Sequence, residues 1–537
     1  MRSSSNTGLQ SDPGPAPASN ASKLRRLLSA LTRLPALYFP LFATIIMPPP
    51  RNDERQPLLE REERRNATPG NQRRSQKVEF DDKDSANARE WALSKKYTVV
   101  ALITLTAFFL PMASSIFAPA ANPIAQEFGV SRQIALLHQT GFVCMLGVGP
   151  LFLAPMSETF GRRMIYLICL AAFTLSQIPC ALAPNVATFV VFRTLSGLFG
   201  SVGVGNGGGS IADMFEAHER AKVLGVYMIA PLLAPSLGPA LGGAMVDRTS
   251  WRSLTWLMFI LAALTTIVSY FFMYETRATT ILQQRKAALE RKDSKTEYYV
   301  EGVNNESIPA KIAGNGTRAV KILGTQPIVL IMSIYQALIF STMYSLYASY
   351  NTIWTQPPYH FSKSQVGLAY LAPAFGFAIT AFTIVVPFID RIYDRLSEKH
   401  DDQGQPEYRL PLANIGAVLL PIALFGFGWT VEKGYHWAVP LIFMMFFGAS
   451  QASIFNSVQT YYTEAYESNA ASALAAGSFL RSMVGGIVPL FVSKLFEKLG
   501  YGWGMSVFGF IATTLMPAPL IFYWTGRRLR EQYPFKG

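Results

Sequence analysis

The 537-residue chain predicts an all-α membrane protein, with twelve transmembrane helices in two six-helix halves behind a disordered N-terminal tail. Three observations carry that expectation. Half of the residues are apolar and only 15% are charged, which suits helices that face lipid. Hydrocarbon about 30 Å thick is crossed by about 20 apolar residues, and twelve runs of that kind follow one another from residue 97 onward. One hydrophilic stretch, from Glu275 to about Gln326, divides six runs from six.

In order, the first half holds spans at 97–120, 133–156, 164–183, 186–211, 222–246 and 253–274. The second holds spans at 327–354, 365–389, 410–431, 437–461, 471–493 and 503–525. Ahead of them, residues 1–94 are rich in Ser, Pro, Asn and mixed charge, which predicts a mostly disordered tail. Within the tail, Leu24 to Met47 becomes apolar after Arg25, Arg26 and Arg33, but Pro35 and Pro40 break it and its hydrophobic part is too short to span. An unstructured segment is expected there, with an interfacial membrane contact or a cleaved targeting segment as alternatives. The domain plan is a tail (1–94), a six-helix half (95–275), a central loop (276–326), a second half (327–526) and a C-terminal tail (527–537).

A net charge of +13 invites a nucleic-acid reading, but the basic residues sort by side of the membrane. Lys95 and Lys96, Arg162 and Arg163, Arg220 and Lys222, Arg277 to Lys321, Arg391 to Arg409 and Arg527 to Arg530 all fall on one side. The other side carries only scattered charges such as Arg132, Lys363 and Lys433. The positive-inside rule then puts both termini in the cytoplasm and leaves no role for nucleic acid. Cys144, Cys169 and Cys180 all fall in spans, so neither a disulfide framework nor a metal site is implied. Five scattered histidines, no nucleophile motif and no phosphate-binding Gly-Lys-Ser/Thr loop argue against an enzyme and against an ATP-driven pump.

Equal halves suggest an internal duplication. Asp213 and Glu464 each follow the fourth span of their half, and each precedes a helix rich in small residues with a late proline, Pro239 or Pro489. Two such halves about a pseudo-twofold axis, with a site between them, is the plan of many secondary transporters.

Three stretches add mechanism. Pro155-Met-Ser-Glu158-Thr-Phe-Gly161-Arg162-Arg163 joins spans two and three, where Gly161 permits a tight turn and the arginines can bind carboxylates and headgroups. Arg193 stands inside span four ahead of Gly197 and Gly200, about 10 Å from its outer end. A charge there is costly and marks a functional candidate, with a snorkelling structural arginine as the alternative. In span five, Ala230, Ala234, Gly238 and Gly242 form one small-residue stripe, and Ser236, Ala240 and Ala244 form another, while Pro231, Pro235 and Pro239 recur every fourth residue. Such stripes allow close helix contact. The prolines predict a kinked, locally weak helix, suited to a moving seal.

Together these stretches resemble the major facilitator superfamily and, within it, the twelve-span drug:proton antiporter branch common in fungi. The resemblance covers about residues 95–530. It implies a latch of Glu158, Gly161, Arg162 and Arg163, with the acid docked on a helix N-terminus of the other half and Arg162 paired with Asp213. Glu158 stands where Asp is more frequent, and Pro155 where many members have Gly. It implies an antiporter motif at Gly238, Pro239, Gly242 and Gly243, and a coupling or gating role for Arg193.

Candidate substrate-binding residues are Tyr335, Phe340, Tyr344 and Tyr347 in span seven, near Asn351, with Gln451, Asn456 and Gln459 in span ten, near Tyr462. Aromatic faces with a few amides suit a bulky amphipathic ligand. No acidic residue lies well inside any span, so His138, at the depth of Arg193, is the candidate proton carrier, against the alternative of a satisfied core histidine. The expected function is proton-coupled efflux of small amphipathic compounds (drugs, fungicides, toxins or secondary metabolites) by alternating access. A nutrient importer or facilitator, or a transporter-like sensor, is the alternative. No cofactor is expected, since the proton gradient is the driver. The expected partners are substrate, protons and membrane lipids. A monomer in the plasma membrane is expected, with the vacuolar membrane as the alternative site.

Overall fold

The computed structural model describes residues 75–537 except 82–83, 294–295, 303–306, 401–403, 467–468 and 536–537. The Leu24–Met47 segment, with the rest of 1–74, lies outside the described residues. Six helices long and apolar enough to cross a membrane come first: α1 (Leu93–Glu127), α2 (Arg132–Phe160), α3 (Arg162–Ala181), α4 (Val186–Met214), α5 (Ala217–Val246) and α6 (Arg252–Phe272). Two shorter helices follow, α7 (Ala278–Lys292) and α8 (Ile308–Thr325). Six more crossings complete the bundle: α9 (Pro327–Thr355), α10 (Lys363–His400), α11 (Pro411–Glu432), α12 (Ala438–Ala465), α13 (Ala470–Ile487) and α14 (Pro489–Gln532).

Local chemistry sets the ends. The Ser131 hydroxyl accepts from the Ile134 N–H at the start of α2, the Asn185 side-chain Oδ1 accepts from Thr188 N–H at the start of α4, and Ser362 and Gln365 form a reciprocal capping box before α10. Several spans run past their expected bounds. The tenth helix runs past residue 389 to His400 after a π-helical turn at Ala381–Val385. The eleventh crossing continues through Pro489 until Gly500, whose φ of 76° is open to glycine and strained for other residues, and there the chain turns. Glu432 then caps the returning segment, accepting from Tyr501 N–H at 2.7 Å and Gly502 N–H at 3.3 Å.

Each half packs around its own apolar core. One core draws only on residues between Ala88 and Met273; the other runs from Ala319 to Phe522 and takes just Ala118, Val143, Ile229 and Leu232 from the first half. Exposed Leu175, Phe271, Leu368 and Phe491 belong to the outer, lipid-facing surface.

The side that carries Leu93 and Gln532 is here the near side, and the opposite one the far side. Toward the far side the halves interlock. Arg132 donates to the Ala348 carbonyl and to Thr352 Oγ1, Gln133 to the Leu490 carbonyl, Thr140 to the Gly486 carbonyl, and Ser364 to Asp247. On the near side α8 lies against both α2 and α13, with Lys311 Nζ 3.5 Å from Thr159 Oγ1.

The end of the tail departs from the expectation of disorder. Strand β1 (Ser75–Lys77) pairs in parallel with β2 (Glu297–Tyr299) of the central loop. Lys77 bridges Glu79 and Glu301, and Arg285 of α7 bridges Asp84 at 2.8 Å. The Ala86 N–H and the Arg285 guanidinium hold the Asp84 carboxyl below its ordinary pKa.

Candidate functional site

At the near side, Gly161 makes the turn between α2 and α3 with φ of 99° and ψ of 151°. The next residue, Arg162, is buried. Its Nε lies 3.2 Å from Asp213 Oδ2 at the end of α4, its Nη1 donates to Ser157 Oγ, and its Nη2 stands 3.9 Å from Glu158. Glu158, half exposed, has this ion-pair partner inside its own half. Arg163 reaches the Tyr270 carbonyl at 2.9 Å. Glu275, which the motif reading left without a role, organises this corner. Its carboxylate accepts from the backbone N–H groups of Arg162 (2.9 Å), Arg163 (3.1 Å), Thr276 (3.1 Å) and Arg277 (3.0 Å). It thereby caps the positive end of α3.

The second half repeats the arrangement. Pro387-x-x-Asp390 in α10 matches Pro155-x-x-Glu158 in α2, and Arg409 at the entry to α11 pairs with Asp390 at 2.7 Å and with Glu464 at 2.7 Å. Glu464 is therefore the counterpart of Asp213 in position and in partner. Arg409 escaped the sequence reading, although the repeated Pro-x-x-acid spacing was the available signal. Glu407, buried beside it, is held by Arg530 at 2.8 and 2.9 Å.

Helix α5 runs continuously across Pro231, Pro235 and Pro239. Its small residues face two ways. A Cβ on Gly238 would stand 2.8 Å from the Met112 carbonyl oxygen, and one on Gly242 would collide with the Ile116 carbonyl, so this stripe seats α5 on α1. Gly243 faces the other half: a Cβ there would lie 3.1 Å from Gly367 Cα, and one on Gly367 would lie 3.1 Å from the Ala240 carbonyl oxygen. Ser236, on the same side, bonds Tyr347 Oη at 2.7 Å across the halves. Pro239 lies between the two sets.

In the middle of the first half, Arg193 and His138 come together around Phe117. The guanidinium stacks on Phe117 and Phe142, 4.6 and 4.4 Å from their centroids, and Nη2 donates to the Ala113 carbonyl at 2.5 Å. The imidazole packs on Phe117 and Phe189 at 5.6 and 4.9 Å. Both side chains are buried, and both ring nitrogens of His138, with Nε and Nη1 of Arg193, lack a hydrogen-bond partner.

In the second half, Phe340, Tyr344 and Tyr347 line one face of α9. Phe340 tilts against Phe455 at 5.3 Å and packs on Tyr344 at 5.9 Å, and the Tyr344 hydroxyl bonds Ser114 Oγ of α1 at 2.7 Å. Gln451 reaches Met343 Sδ at 3.8 Å, while Asn456 and Gln459 are half-buried farther along α12. Tyr335 stands apart from the set, with its hydroxyl 3.4 Å from the Ala417 carbonyl of α11 in the core of its own half. One further residue belongs here. Arg481 of α13 lies over Phe340 and Phe455, 5.1 and 5.4 Å from their centroids. On the near side a cavity of about 220 Å³ opens between Glu158, Arg277, Gln283, Lys311 and Arg318.

The fold and these motifs can be compared with known proteins. The chain is 34% identical over 449 residues to the MFS transporter cpaT of Aspergillus oryzae, a match covering 83% of this chain and 90% of that one. It is 36% identical over 450 residues to the efflux pump vrtL of Penicillium aethiopicum, covering 83% and 89%. Among solved structures, the proton:xylose symporter XylE superposes with a TM-score of 0.59 at 15% identity, covering 82% of this chain and 100% of that one, which speaks to fold alone. The profile described as Major Facilitator Superfamily matches residues 103–489. With its twelve crossings in two halves and these relatives, the chain belongs to the major facilitator superfamily, as a membrane transporter and not an enzyme.

Proposed function

We propose that this transporter exports small amphipathic compounds against their gradient by alternating access, with inward proton flow as the driver and no cofactor. The two-sided packing of α5 carries the reading. One stripe ties α5 to α1 of its own half, and the other meets α9 and α10 across the boundary, so the helix moves with one body and seals against the second. Separate apolar cores in the halves suit that rocking. The names of relatives such as the efflux pump vrtL support the outward direction.

The Phe340, Tyr344, Gln451 cluster supplies stacking area and an amide for an amphipathic body. The latch of Glu158, Gly161, Arg162, Arg163 and Asp213 holds the near-side ends of α2, α3 and α4 together as they tilt. Both termini face the cytoplasm of a plasma-membrane monomer, in keeping with the basic near side. Energetically, a proton entering down 100 mV supplies about 2.3 kcal/mol and each pH unit about 1.4 more. That is enough to concentrate a compound outside.

His138 and Arg193, gathered on Phe117, form the coupling pair. On this reading substrate and proton contend for one pocket. The decisive assay is efflux from a sensitised host, over a panel of antifungals and secondary metabolites, at two external pH values and with the gradient dissipated. Export that rises with external acidity and stops with the gradient is expected. Net accumulation instead of loss would reverse the direction, and a His138→Ala variant with undiminished proton-dependent efflux would remove that residue from the mechanism.

A further inference from the structure

We propose that the space between the halves recognises an anionic group through Arg481, so that the compounds carried include amphipathic carboxylates. The inference rests on the export reading and narrows its substrate class.

Arg481 is 7% exposed, and its Nε and Nη1 have no hydrogen-bond partner. It stands eleven residues into α13 (counting from Ala470), about 17 Å along the helix at 1.5 Å per residue. That depth is beyond the reach of lipid headgroups. A guanidinium so placed needs an anion, because a charge in the apolar zone is tolerated only when paired or solvated. Its two ring neighbours, Phe340 and Phe455, offer a quadrupole face and no counter-charge. The one buried carboxylate among the described residues, Glu407, is committed to Arg530.

Arg193 invites the same question and answers it differently. Its Nε and Nη1 also lack partners, but it is fully buried inside the first half and its Nη2 is spent on the Ala113 carbonyl. Arg481, by contrast, borders the boundary. Its neighbour Phe340 packs on Tyr344, whose hydroxyl crosses to Ser114, and the turns of α13 on either side of it, at Ser478, Ser482 and Gly486, contact Gly147 and Cys144 of α2. A planar guanidinium pairs with a carboxylate through two parallel hydrogen bonds. Phe340 and Phe455 beside it form a surface for an aromatic or alicyclic body. The same charge rejects ammonium compounds, because no acid stands near to receive them.

The test uses the full chain in lipid nanodiscs and three probes of one shape: 2-naphthoate, the neutral 2-naphthamide and the cationic 2-naphthylmethylammonium. The carboxylate is expected to bind about tenfold tighter than either of the others. Arg481→Gln should weaken carboxylate binding by about tenfold and leave the amide within about twofold, while Arg481→Lys keeps part of the preference. Equal binding of the three probes, no carboxylate binding by the wild type, or an Arg481→Gln protein with unchanged preference overturns the proposal. If Arg481→Gln does not fold, the wild-type probe series and Arg481→Lys decide it alone. Transport separates this proposal from the one it rests on. Cells carrying Arg481→Gln that still export an amphipathic carboxylate at the wild-type rate overturn the anion site and leave export standing. Charge-selective binding with no efflux of any compound keeps the anion site and removes export.

Discussion

Glu275 touches four backbone N–H groups with two oxygens, and nothing in its immediate sequence announces that work. Its partners Arg162 and Arg163 lie 113 and 112 residues earlier, and the contact exists because α6 ends beside the α2–α3 turn. Removing such a cap costs about 1–2 kcal/mol, with the helix dipole adding to the loss. Glu275→Ala is therefore expected to lower the thermal midpoint of the purified protein, and Glu275→Gln, which keeps one acceptor oxygen, to lower it less. Equal midpoints for the wild type and Glu275→Ala would show that α3 is held without it. The neighbouring Arg162–Asp213 pair was legible from sequence, because a recognisable turn motif and an acid at the end of the fourth span are both local signals. For Arg409 the repeated Pro387-x-x-Asp390 spacing was the one sequence signal, since its two acids come from different helices and only the folded half brings Asp390 and Glu464 to one guanidinium. Arg481 was visible as a letter in an apolar span, but its want of a partner is a fact about its surroundings.

Helix α5 shows the same limit one level up. Four-residue spacing reveals that a helix has a small-residue stripe; it does not say which neighbour the stripe meets. Here two stripes meet two different neighbours, and that separates two substitutions that look alike on paper. Gly238→Val drives a branched side chain into the Met112 carbonyl and Ser115 of α1, inside one half, where backbone cannot yield cheaply. It is expected to abolish export and to lower the thermal midpoint as well. Gly243→Ala adds one carbon 3.1 Å from Gly367 and 3.2 Å from the Lys363 carbonyl, at the seam between halves. Its expected effect is on far-side closure: export slows several-fold while the midpoint stays near that of the wild type. Measured together, a Gly243→Ala protein as unstable as Gly238→Val would argue that the seam is part of a single core. The three prolines teach the complementary lesson. Each removes a backbone hydrogen bond, yet α5 keeps its helical course through all three. Burial of Leu232, Ala234 and Ser236 among neighbouring helices holds what the local sequence alone would weaken.

For the whole molecule, two cores and one interlocked face define what must move. If the halves are bodies that rock about the centre, a bond between them on the far side should stop transport, and a bond within one of them should not. Asp247, just past the end of α5, and Ser364, on the first turn of α10, lie 2.7 Å apart at their oxygens, one from each half. Thr174 and Thr266, 3.4 Å apart on α3 and α6, belong to the same half. Cysteine pairs are placed at both positions, once Cys144, Cys169 and Cys180 are replaced. Oxidised Asp247→Cys/Ser364→Cys protein in proteoliposomes is expected to lose transport and to regain it on reduction. Oxidised Thr174→Cys/Thr266→Cys protein is expected to transport at its reduced rate. Bond formation is read by mass spectrometry of the digested protein, so that activity is compared only between samples of known linkage. Undiminished transport through the far-side bond would mean that the halves do not separate there, and alternating access would have to be built on a different seam. Loss of transport with the intra-half bond would mean that α3 and α6 slide within their half during the cycle. The near-side ion pairs, each confined to one half, favour the rigid alternative, since Arg162 with Asp213 and Arg409 with Glu464 bind helices that would otherwise be free to part.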